Sequence, residues 1–467
     1  MKNELKIDEL NSICKIVSNY SDPELVKSYS SDWRNRYSKQ ALCVAFPKNE
    51  NEISELLIFC NKNKISVIPQ GGNTGLVGGT SPIDKNKAVI INLQKMNNIL
   101  EINALNNYVV CEAGVILDSI INECENASLS FPIKMSSSGS CQVGGIIATN
   151  AGGINVIKYG SIRSNILGLD VILANGEKLK IGSKVIKDNT GYNLKDLFCG
   201  SEGTLAVITK ATIRVFPKFY DYIDCFVNFN SIKELIIFSK KIMNDYRERI
   251  DSLEIITNSS FDMCRKHNLL KRNFFSKDKE YYILMRLSYF EEVNFFLNNL
   301  SSKFKTIVKD DNEFLIAQDS QQSIDFWNFR HNLSEVQSKE GKMISFDISI
   351  PIDCLEIFIN DAKLKISSIL DNIKFSVFGH LGDGNIHFNL IEPNNYNENF
   401  YSLETNFKEI IYNLLIKYEG SISAEHGIGQ LKKDDLSMVK SELEINMMKK
   451  IKDIFDPNQI LNPGKIF

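Results

Sequence analysis

The chain has 467 residues, 43% of them hydrophobic and 24% charged, which indicates an ordinary globular protein of two or three domains rather than a disordered or fibrous one. Its formal net charge of -3 excludes recruitment of nucleic acid or of an anionic membrane surface by bulk electrostatics. No apolar stretch approaches the roughly 18 to 20 residues that span a bilayer, and the ten cysteines, with no Cys-x-x-Cys pair, indicate free thiols in a reducing compartment. We therefore expect a cytoplasmic protein without a transmembrane segment.

The first half of the chain alternates between helices and strands. Apolar residues at helical spacing predict an amphipathic helix over residues 51–64, and ISVIP predicts a buried strand that runs directly into a glycine-rich turn. Further strands are predicted at 88–93 and 108–115, with a helix over 117–127. Asn175-Gly176 predicts a hairpin with a type I′ turn, and TLAVITKATIRVF predicts a strand pair that ends at Pro217.

After Pro217 the pattern changes to strands covered by amphipathic helices. This alternation is typical of an α+β domain with an antiparallel sheet. A long helix is predicted over residues 321–339, a strand over 345–351 and a hairpin near His380. We place a domain boundary at Pro217.

Two glycine-rich loops lie in the first half. In IPQGGNTGLVGGTSP, five glycines within nine residues let backbone amides turn inward around an anion such as pyrophosphate, and Asn73 and Thr74 add donors. The loop matches neither GxxxxGK[ST] nor GxGxxG, which disfavours a nucleotide triphosphatase and a Rossmann site. Taken alone it is also compatible with a structural turn. With the second loop, GSCQVGGIIATNAGG, an extended dinucleotide lying across both explains the glycines better.

Three segments together resemble a known FAD-binding domain. QGGNTGLVGG, GSCQVGGIIATNAGG and KDNTGYNLKDLFCGSEGTLAVIT are similar to the vanillyl-alcohol oxidase and p-cresol methylhydroxylase superfamily, and most of all to FAD-linked D-2-hydroxyacid dehydrogenases. The resemblance runs from about Ser38 to the C-terminus. It implies an α+β protein with a two-part FAD-binding domain at residues 38–217 and a substrate (cap) domain at 218–467, which carries a metal site and a C-terminal tail that contacts FAD. Because no histidine precedes His267, we expect FAD to be bound non-covalently.

The resemblance implies three groups of cofactor-binding residues. The pyrophosphate group is Gly71, Gly72, Asn73, Thr74, Gly75, Leu76, Gly78 and Gly79. The flavin group is Gly139, Ser140, Gly144, Gly145, Thr149, Asn150, Gly152 and Gly153. The adenosine group is Glu202, Gly203 and Ile208.

Two of the five histidines lie in FSVFGHLGDGNIHFNLI, which reads as strand, turn and strand. If the turn centres on Asp383-Gly384, His380 faces His387 directly, at about 4.5–5.5 Å between Cβ atoms, close enough to share a metal ion. SAEHGIG offers Glu425 as a third ligand, and a His-His-Glu set is typical of a catalytic site. The hairpin alone is equally compatible with two hydrogen-bonded histidines. GHLGDGNIH and SAEHG resemble metal-binding motifs of the same dehydrogenases, which implies a divalent ion, and we expect zinc.

His426, next to Glu425, is the candidate catalytic base, because a neutral imidazole is suited to proton removal near pH 7. The resemblance implies that it takes the proton of the substrate hydroxyl while the Cα hydrogen leaves as hydride to flavin N5. Arg330, in FWNFRHNLSE, is placed on a helix as a fork for a carboxylate.

The resemblance further implies substrate binding by Arg330 and Asn389, but two positions depart from the pattern. Where the 2-hydroxyglutarate enzymes carry a threonine and a lysine, this chain has Ser334 and Ser345. Ser334 keeps a hydroxyl, whereas Ser345 removes a positive charge and weakens the case for a distal carboxylate. Whether Lys342 compensates stays open.

Together with these residues, the resemblance implies an FAD-dependent dehydrogenase that oxidises a D-2-hydroxy acid, D-2-hydroxyglutarate or D-lactate, to the 2-keto acid. The expected electron acceptor is a quinone or an electron-transfer flavoprotein, and a location at the membrane periphery is one option for this electron transfer. A homodimer is one option for its assembly. The alternatives are a glycolate oxidase-type subunit, a non-catalytic flavoprotein subunit, and a flavin-free metallohydrolase that uses the His-His-Glu site.

Overall fold

The structure, a computed structural model, describes residues 2–219, 221–270, 273–308 and 312–467. The chain forms two units, and the first is made of the chain up to Gly153, of Tyr159–Lys218 and of Glu425–Phe467. The second is made of Ile154–Lys158 and Phe219–Ala424. The functional domains at 38–217 and 218–467 stay a prediction. Within the described ranges, no helix is long and apolar enough to cross a membrane.

Two sheets form the framework of the first unit. The strands of the smaller sheet are β1 (Ile16–Ser18), β2 (Cys43–Ala45), β3 (Ser66–Gln70) and β4 (Ala88–Asn92). Their order is β1-β2-β4-β3, and only β1 runs antiparallel to its neighbour. The larger sheet consists of β5 (Ile99–Asn103), β6 (Tyr108–Glu112), β8 (Ile166–Ile172), β9 (Lys178–Gly182) and β10 (Val207–Arg214), while β7 (Leu129–Ser130) pairs with β11 (Phe216–Pro217). The order of this antiparallel sheet is β5-β6-β10-β8-β9.

Helices flank these sheets. They are α1 (Lys2–Ile13), α2 (Pro23–Ser30), α3 (Glu50–Asn63), α4 (Leu117–Asn126), α5 (Val143–Ala148) and α7 (Lys195–Phe198), whereas α6 (Val156–Tyr159) belongs to the second unit except for Tyr159. In α3 the predicted apolar face is buried, the Asn49 side chain caps the first turn by accepting from Glu52 N, and Lys64 ends the helix in the left-handed conformation. The helix predicted over residues 51–64 is therefore confirmed.

The C-terminal segment returns to the first unit through α14 (Leu436–Val439) and α15 (Glu442–Phe455). Beyond α15 the chain lies along β3. The Val67 amide donates to Ile460 O at 2.7 Å, and the Asn462 amide donates to Val67 O at 2.7 Å. The last segment thus adds a backbone partner to the edge strand of the smaller sheet.

A seven-stranded antiparallel sheet forms the second unit, as predicted for an α+β domain. Its strands are β12 (Asp221–Phe229), β13 (Ile250–Thr257), β14 (Tyr281–Tyr289), β15 (Phe314–Ile316), β16 (Met343–Ser349), β17 (Lys374–His380) and β18 (Asn385–Ile391). They are arranged in the order β15-β12-β14-β13-β17-β18-β16. The helices are α8 (Ile232–Tyr246), α9 (Asn258–Lys266), α10 (Val293–Ile307), α11 (Ser320–Glu340), α12 (Leu355–Ser367) and α13 (Glu404–Lys417).

One face of this sheet is apolar at one end and polar at the other. Phe226, Ile256 and Phe378 from the strands share a buried core with Phe329 and Leu333 of α11. Because side chains on one face recur every second residue, the next inward positions on β13 and β17 carry Glu254 and His380 instead. The polar end of this face contains the residues of the candidate site.

Two local predictions in the first unit were wrong. The hairpin of β8 and β9 forms, but only Gly176 of the Asn-Gly pair has a positive φ, of 86°. A type I′ turn needs both, so the loop is of the three-residue kind, closed by the Leu173 amide donating to Glu177 O. The predicted strand pair at 204–216 is the single strand β10 with the short β11 after it, because β10 pairs with β6 and β8 on its two edges.

Candidate active site

The two predicted glycine loops contact each other in the first unit. A Cβ atom built on Gly72 would lie 1.9 Å from Ser140 O, and one on Gly71 would lie 3.3 Å from the Gln142 Cβ. Such an approach is possible only without a side chain at Gly72. The loop after β3 and the segment around α5 therefore form one continuous surface.

Two other glycines on this surface have no such reason to be glycine. A Cβ built on Gly75 or Gly145 would meet no atom of the described residues within 4 Å. Neither has a positive φ. Packing and backbone conformation would therefore accept a side chain at both positions.

Asn73 and Asn150 have positive φ values of 54° and 50°, and their side chains are bonded within the protein. Asn73 Nδ2 donates to Ser31 O at 2.8 Å, and Asn150 Oδ1 accepts from the backbone amide of Arg163 at 3.2 Å. These side chains hold the loops in shape. Ile208, predicted on the adenosine side, is 5% exposed in the core of the first unit.

Glu202 fastens the loop that carries the predicted metal ligand and base. Its Oε1 accepts from the Ile428 amide and its Oε2 from the Gly429 amide, both at 2.7 Å. Burial raises the pKa of this carboxyl group, and the two amide hydrogen bonds offset part of that rise. In the same loop Glu425 Oε1 accepts from the Gly153 amide at 3.0 Å. Glu425 and the half-buried His426 thus lie in the first unit, with Glu425 bonded to the last residue of the predicted flavin group.

In the second unit, His380 and His387 lie on the same face of the β17–β18 hairpin, but not in the expected register. His380 pairs with Asn385 and His387 pairs with Phe378, so the predicted direct opposition is wrong. The turn lies one residue earlier because Gly384 adopts a positive φ of 77° against Ile350, where a Cβ would be 2.3 Å from Ile350 O. A shift of two positions keeps the face. The two rings are diagonal neighbours, with centroids 5.8 Å apart.

Glu254 is a residue of this site that the sequence did not indicate. It is 0% exposed on β13, opposite His380 in the strand register. Its Oε1 is 2.6 Å from His380 Nδ1, and its Oε2 accepts from Arg330 Nε at 2.7 Å. Burial alone would raise the pKa of Glu254, but the charges and hydrogen bonds of His380 and Arg330 outweigh burial and hold it at about 2. The available signal was an acidic residue between the apolar Leu253 and Ile255 of a strand, since a buried carboxylate requires a partner.

Asp347 has a comparable position beside His387. It is opposite His387 in the register of β16 and β18, with its Oδ1 3.8 Å from His387 Nδ1. Asn385 Nδ2 donates to the same Oδ1 at 3.0 Å. Each histidine of the hairpin therefore has a buried carboxylate on its Nδ1 side.

The predicted substrate residues of the second unit fall into two groups. Arg330 is 7% exposed on α11, with its Cζ 4.8 Å from the centroid of the Phe378 ring, and Ser334 is exposed one turn later. Ser345 is exposed on β16, opposite the buried Asn389 of β18 and on the same face as His387. Lys342, considered above as a substitute for the lost lysine, has its Nζ 3.4 Å from Glu392 Oε2.

Comparison with known proteins identifies the family to which the chain belongs. The description "FAD binding domain" matches residues 41–182, and "FAD linked oxidases, C-terminal domain" matches residues 225–466. The chain is 35% identical over 455 residues to the mitochondrial D-2-hydroxyglutarate dehydrogenase of Arabidopsis thaliana, covering 95% of this chain and 78% of that protein. It is 29% identical to the D-2-hydroxyglutarate dehydrogenase of Stutzerimonas stutzeri, with 100% of both chains covered. The structure of p-cresol methylhydroxylase with substrate bound shares the fold, with a TM-score of 0.74, 16% identity, and coverage of 99% of this chain and 96% of that one.

These matches define an FAD-binding oxidoreductase. More particularly, the chain belongs to the FAD-linked D-2-hydroxyacid dehydrogenases, which have the fold of p-cresol methylhydroxylase. The predicted family, fold class, enzyme class and FAD cofactor are confirmed. The flavin-free metallohydrolase loses its support. The individual site residues, the metal, non-covalent attachment, the electron acceptor and a cytoplasmic location stay predictions.

Proposed function

We propose that the protein oxidises a D-2-hydroxy acid to the corresponding 2-keto acid, using FAD, a zinc ion and His426 as the base. The observation that carries the proposal is the polar end of the sheet face in the second unit. There His380, His387, Asn389 and Ser345 share one face of three adjacent strands, and Arg330 lies over it from α11. Two imidazoles, an amide, a hydroxyl and a guanidinium are suitable groups for a metal-assisted site that holds an α-hydroxy carboxylate.

The glycine surface of the first unit fits FAD. Neither packing nor backbone conformation requires glycine at Gly75 and Gly145, and a cofactor lying close to the backbone there would account for both. When bound, FAD supplies a two-electron acceptor at N5. We infer non-covalent binding, because the chain has no histidine before His267, and because Cys141 within the second glycine loop and Cys199 after it are buried.

The hairpin of the second unit fits a zinc ion. The contact with Glu254 takes up Nδ1 of His380, so Nε2 is the nitrogen that His380 would offer, and a carboxylate behind a ligating histidine is the usual support. Glu425 is proposed as the third ligand. It follows Ala424, whose amide donates at 3.4 Å to the carbonyl of Asp347, the strand partner of His387. Such an ion would supply Lewis-acid polarisation of the α-hydroxyl and carboxylate groups.

The protein groups then have distinct tasks. Arg330 binds a carboxylate of the substrate through its guanidinium, and Asn389 orients the substrate by hydrogen bonding. His426 accepts the proton of the α-hydroxyl group. Glu202 holds the His426 loop at two backbone amides, which fixes the base relative to the glycine surface. The electrons leave to a quinone or an electron-transfer flavoprotein.

The substrate is proposed to be D-2-hydroxyglutarate or D-lactate, with glycolate behind them. D-2-Hydroxyglutarate is favoured by the names of the relatives. A monocarboxylic acid is favoured by Ser345, because no cation replaces the lost lysine on β16 and Lys342 is paired with Glu392. Turnover of the two acids distinguishes these alternatives.

The decisive experiment is a panel of D- and L-2-hydroxy acids with an artificial electron acceptor, together with Ser345→Lys. We expect oxidation of D-isomers only, and S345K should lower KM for D-2-hydroxyglutarate about 10- to 150-fold, since a charged hydrogen bond contributes about 1.5–3 kcal/mol. KM for D-lactate should not change. Ser338→Lys, an added lysine at an exposed position of α11, is the matched control. Oxidation of the L-isomers, or no flavin reduction by any hydroxy acid, would refute the proposal.

The metal half is tested by His387→Ala. This variant should lose bound zinc and hydroxy-acid oxidation while it retains flavin that is released by acid. Full activity without zinc would show that the ion has no part in the reaction.

A further inference from the structure

We propose that Glu254 is a positioning residue for two partners at once: it orients His380 as a metal ligand and Arg330 as the carboxylate clamp. The inference rests on the proposed function and deepens it, because it makes zinc binding and substrate binding depend on one side chain. Glu254 is not itself placed in contact with substrate or metal.

The geometry places Glu254 between the two groups. It is 0% exposed in the middle of β13, and its register partner on β17 is His380. One carboxylate oxygen meets His380 Nδ1 at 2.6 Å, and the other meets Arg330 Nε at 2.7 Å. Each partner is therefore held by its own oxygen, and the two contacts do not compete.

The positions at which Glu254 contacts its two partners decide which nitrogen atoms of each partner face a ligand. A contact at Nδ1 turns Nε2 of His380 toward any ion. A contact at Nε of Arg330 leaves the two terminal nitrogens as the edge that forms a bidentate pair with a carboxylate. The ring of Phe378 lies 4.8 Å from the Arg330 Cζ and closes the apolar side. Glu254 thus selects the working edge of both side chains.

A purely structural role would look different, and the same sheet offers an example. Asp224 on β12 is also buried, at 1% exposed, and binds Arg286 through Nε at 2.8 Å and Nη2 at 2.9 Å. That pair consumes the arginine fork and includes no histidine. Asp224 therefore provides a matched control: a buried strand carboxylate paired with an arginine on the same face of the sheet.

The test compares Glu254→Gln with Asp224→Asn in the FAD-loaded protein. Zinc affinity is measured by chelator competition, and KM and kcat are measured at saturating zinc. For E254Q we expect zinc affinity to fall about 10- to 100-fold, the usual effect of losing a carboxylate behind a ligating histidine. KM should also rise at saturating zinc. For D224N we expect neither change, although both variants lose conformational stability.

Two results would overturn the inference. One is zinc affinity of E254Q within about twofold of the wild type, and the other is an equal loss of zinc affinity in E254Q and D224N, which would indicate general loosening of the sheet. If E254Q does not fold, Glu254→Asp keeps the charge but is one methylene shorter, and zinc affinity that is unchanged in it would equally contradict the idea. If wild type and His387→Ala bind zinc alike, the metal site of the proposed function fails first, and the inference fails with it.

Discussion

Replacing Gly145 with alanine should strengthen the fold and weaken the cofactor site, two effects of opposite sign. Gly145 lies inside α5, has no positive φ, and its Cβ would meet no atom of the described residues within 4 Å. Alanine in a helix is more stable than glycine by about 1 kcal/mol, and it also reduces the entropy of the unfolded chain. We therefore expect the apoprotein to gain about 0.5–1 kcal/mol in free energy of unfolding.

The cost should fall on FAD. If the open space beside Gly145 holds the cofactor, an added methyl group overpacks it at about 1–3 kcal/mol, which corresponds to an affinity loss of about 5- to 150-fold. Urea unfolding of the apoprotein measures the first effect, and titration of FAD fluorescence measures the second. Gly72→Ala is the contrasting variant, because its Cβ would lie 1.9 Å from Ser140 O and should destabilise the apoprotein itself. G145A protein that is more stable and binds FAD like the wild type would refute the assignment of this surface.

Two further predictions concern pH. The side chain of Glu340 is 3% exposed and accepts hydrogen bonds from Lys266, Lys374 and His267. Desolvation of this carboxyl group raises its pKa, but the three hydrogen bonds outweigh that effect and lower the pKa from 4.5 to about 2. The lowered pKa stabilises the folded state by about 3 kcal/mol above pH 4.5, and this stabilisation is lost as the pH falls toward 2. Glu340→Gln should therefore lower the free energy of unfolding by about 2 kcal/mol at pH 7, after allowance for solvent screening, and should not change it near pH 2. Urea unfolding at the two pH values measures this difference. Lys465 donates to Ser81 O behind the first glycine loop, and burial lowers its pKa from 10.5 to about 8. FAD affinity should fall about two- to fivefold as the pH rises through 8 and Lys465 loses its charge. The free energy of unfolding should rise between pH 8 and 10.5, because the unfolded chain keeps that proton to a higher pH. Lys465→Met should remove the pH dependence of FAD affinity, and an unchanged pH dependence in this variant would show that Lys465 is not its cause.

Local patterns predicted the elements well because their cause is local. The helix α3 has its apolar spacing, its cap and its stop signal within one short segment. The antiparallel sheet of the second unit follows from strands that alternate with amphipathic helices. The glycine loops were recognisable because two glycine-rich segments occur in one unit, which ordinary turns do not explain as well as a shared ligand does.

What depends on distant residues could not be read in this way. The face of the His380 hairpin was predictable from alternation, but its register depends on Gly384 packing against Ile350, which a symmetric turn cannot reveal. Glu254 is 126 residues from His380 along the chain, and no local pattern links the two. The sequence could not show whether Lys342 replaces the lost lysine, because its partner Glu392 is distant along the chain.

The backbone bonds of Val67 to Ile460 and Asn462 have a consequence for how the protein is made. During translation the whole second unit is synthesised before the residues that complete the edge of the smaller sheet, so the first unit cannot finish folding in the order of its synthesis. Nascent chains halted after Ala424 should therefore expose an unpaired β3 edge, depend on chaperones and bind FAD poorly. Release of the full chain should remove all three defects together. Pulse proteolysis of stalled and released chains would measure this delay.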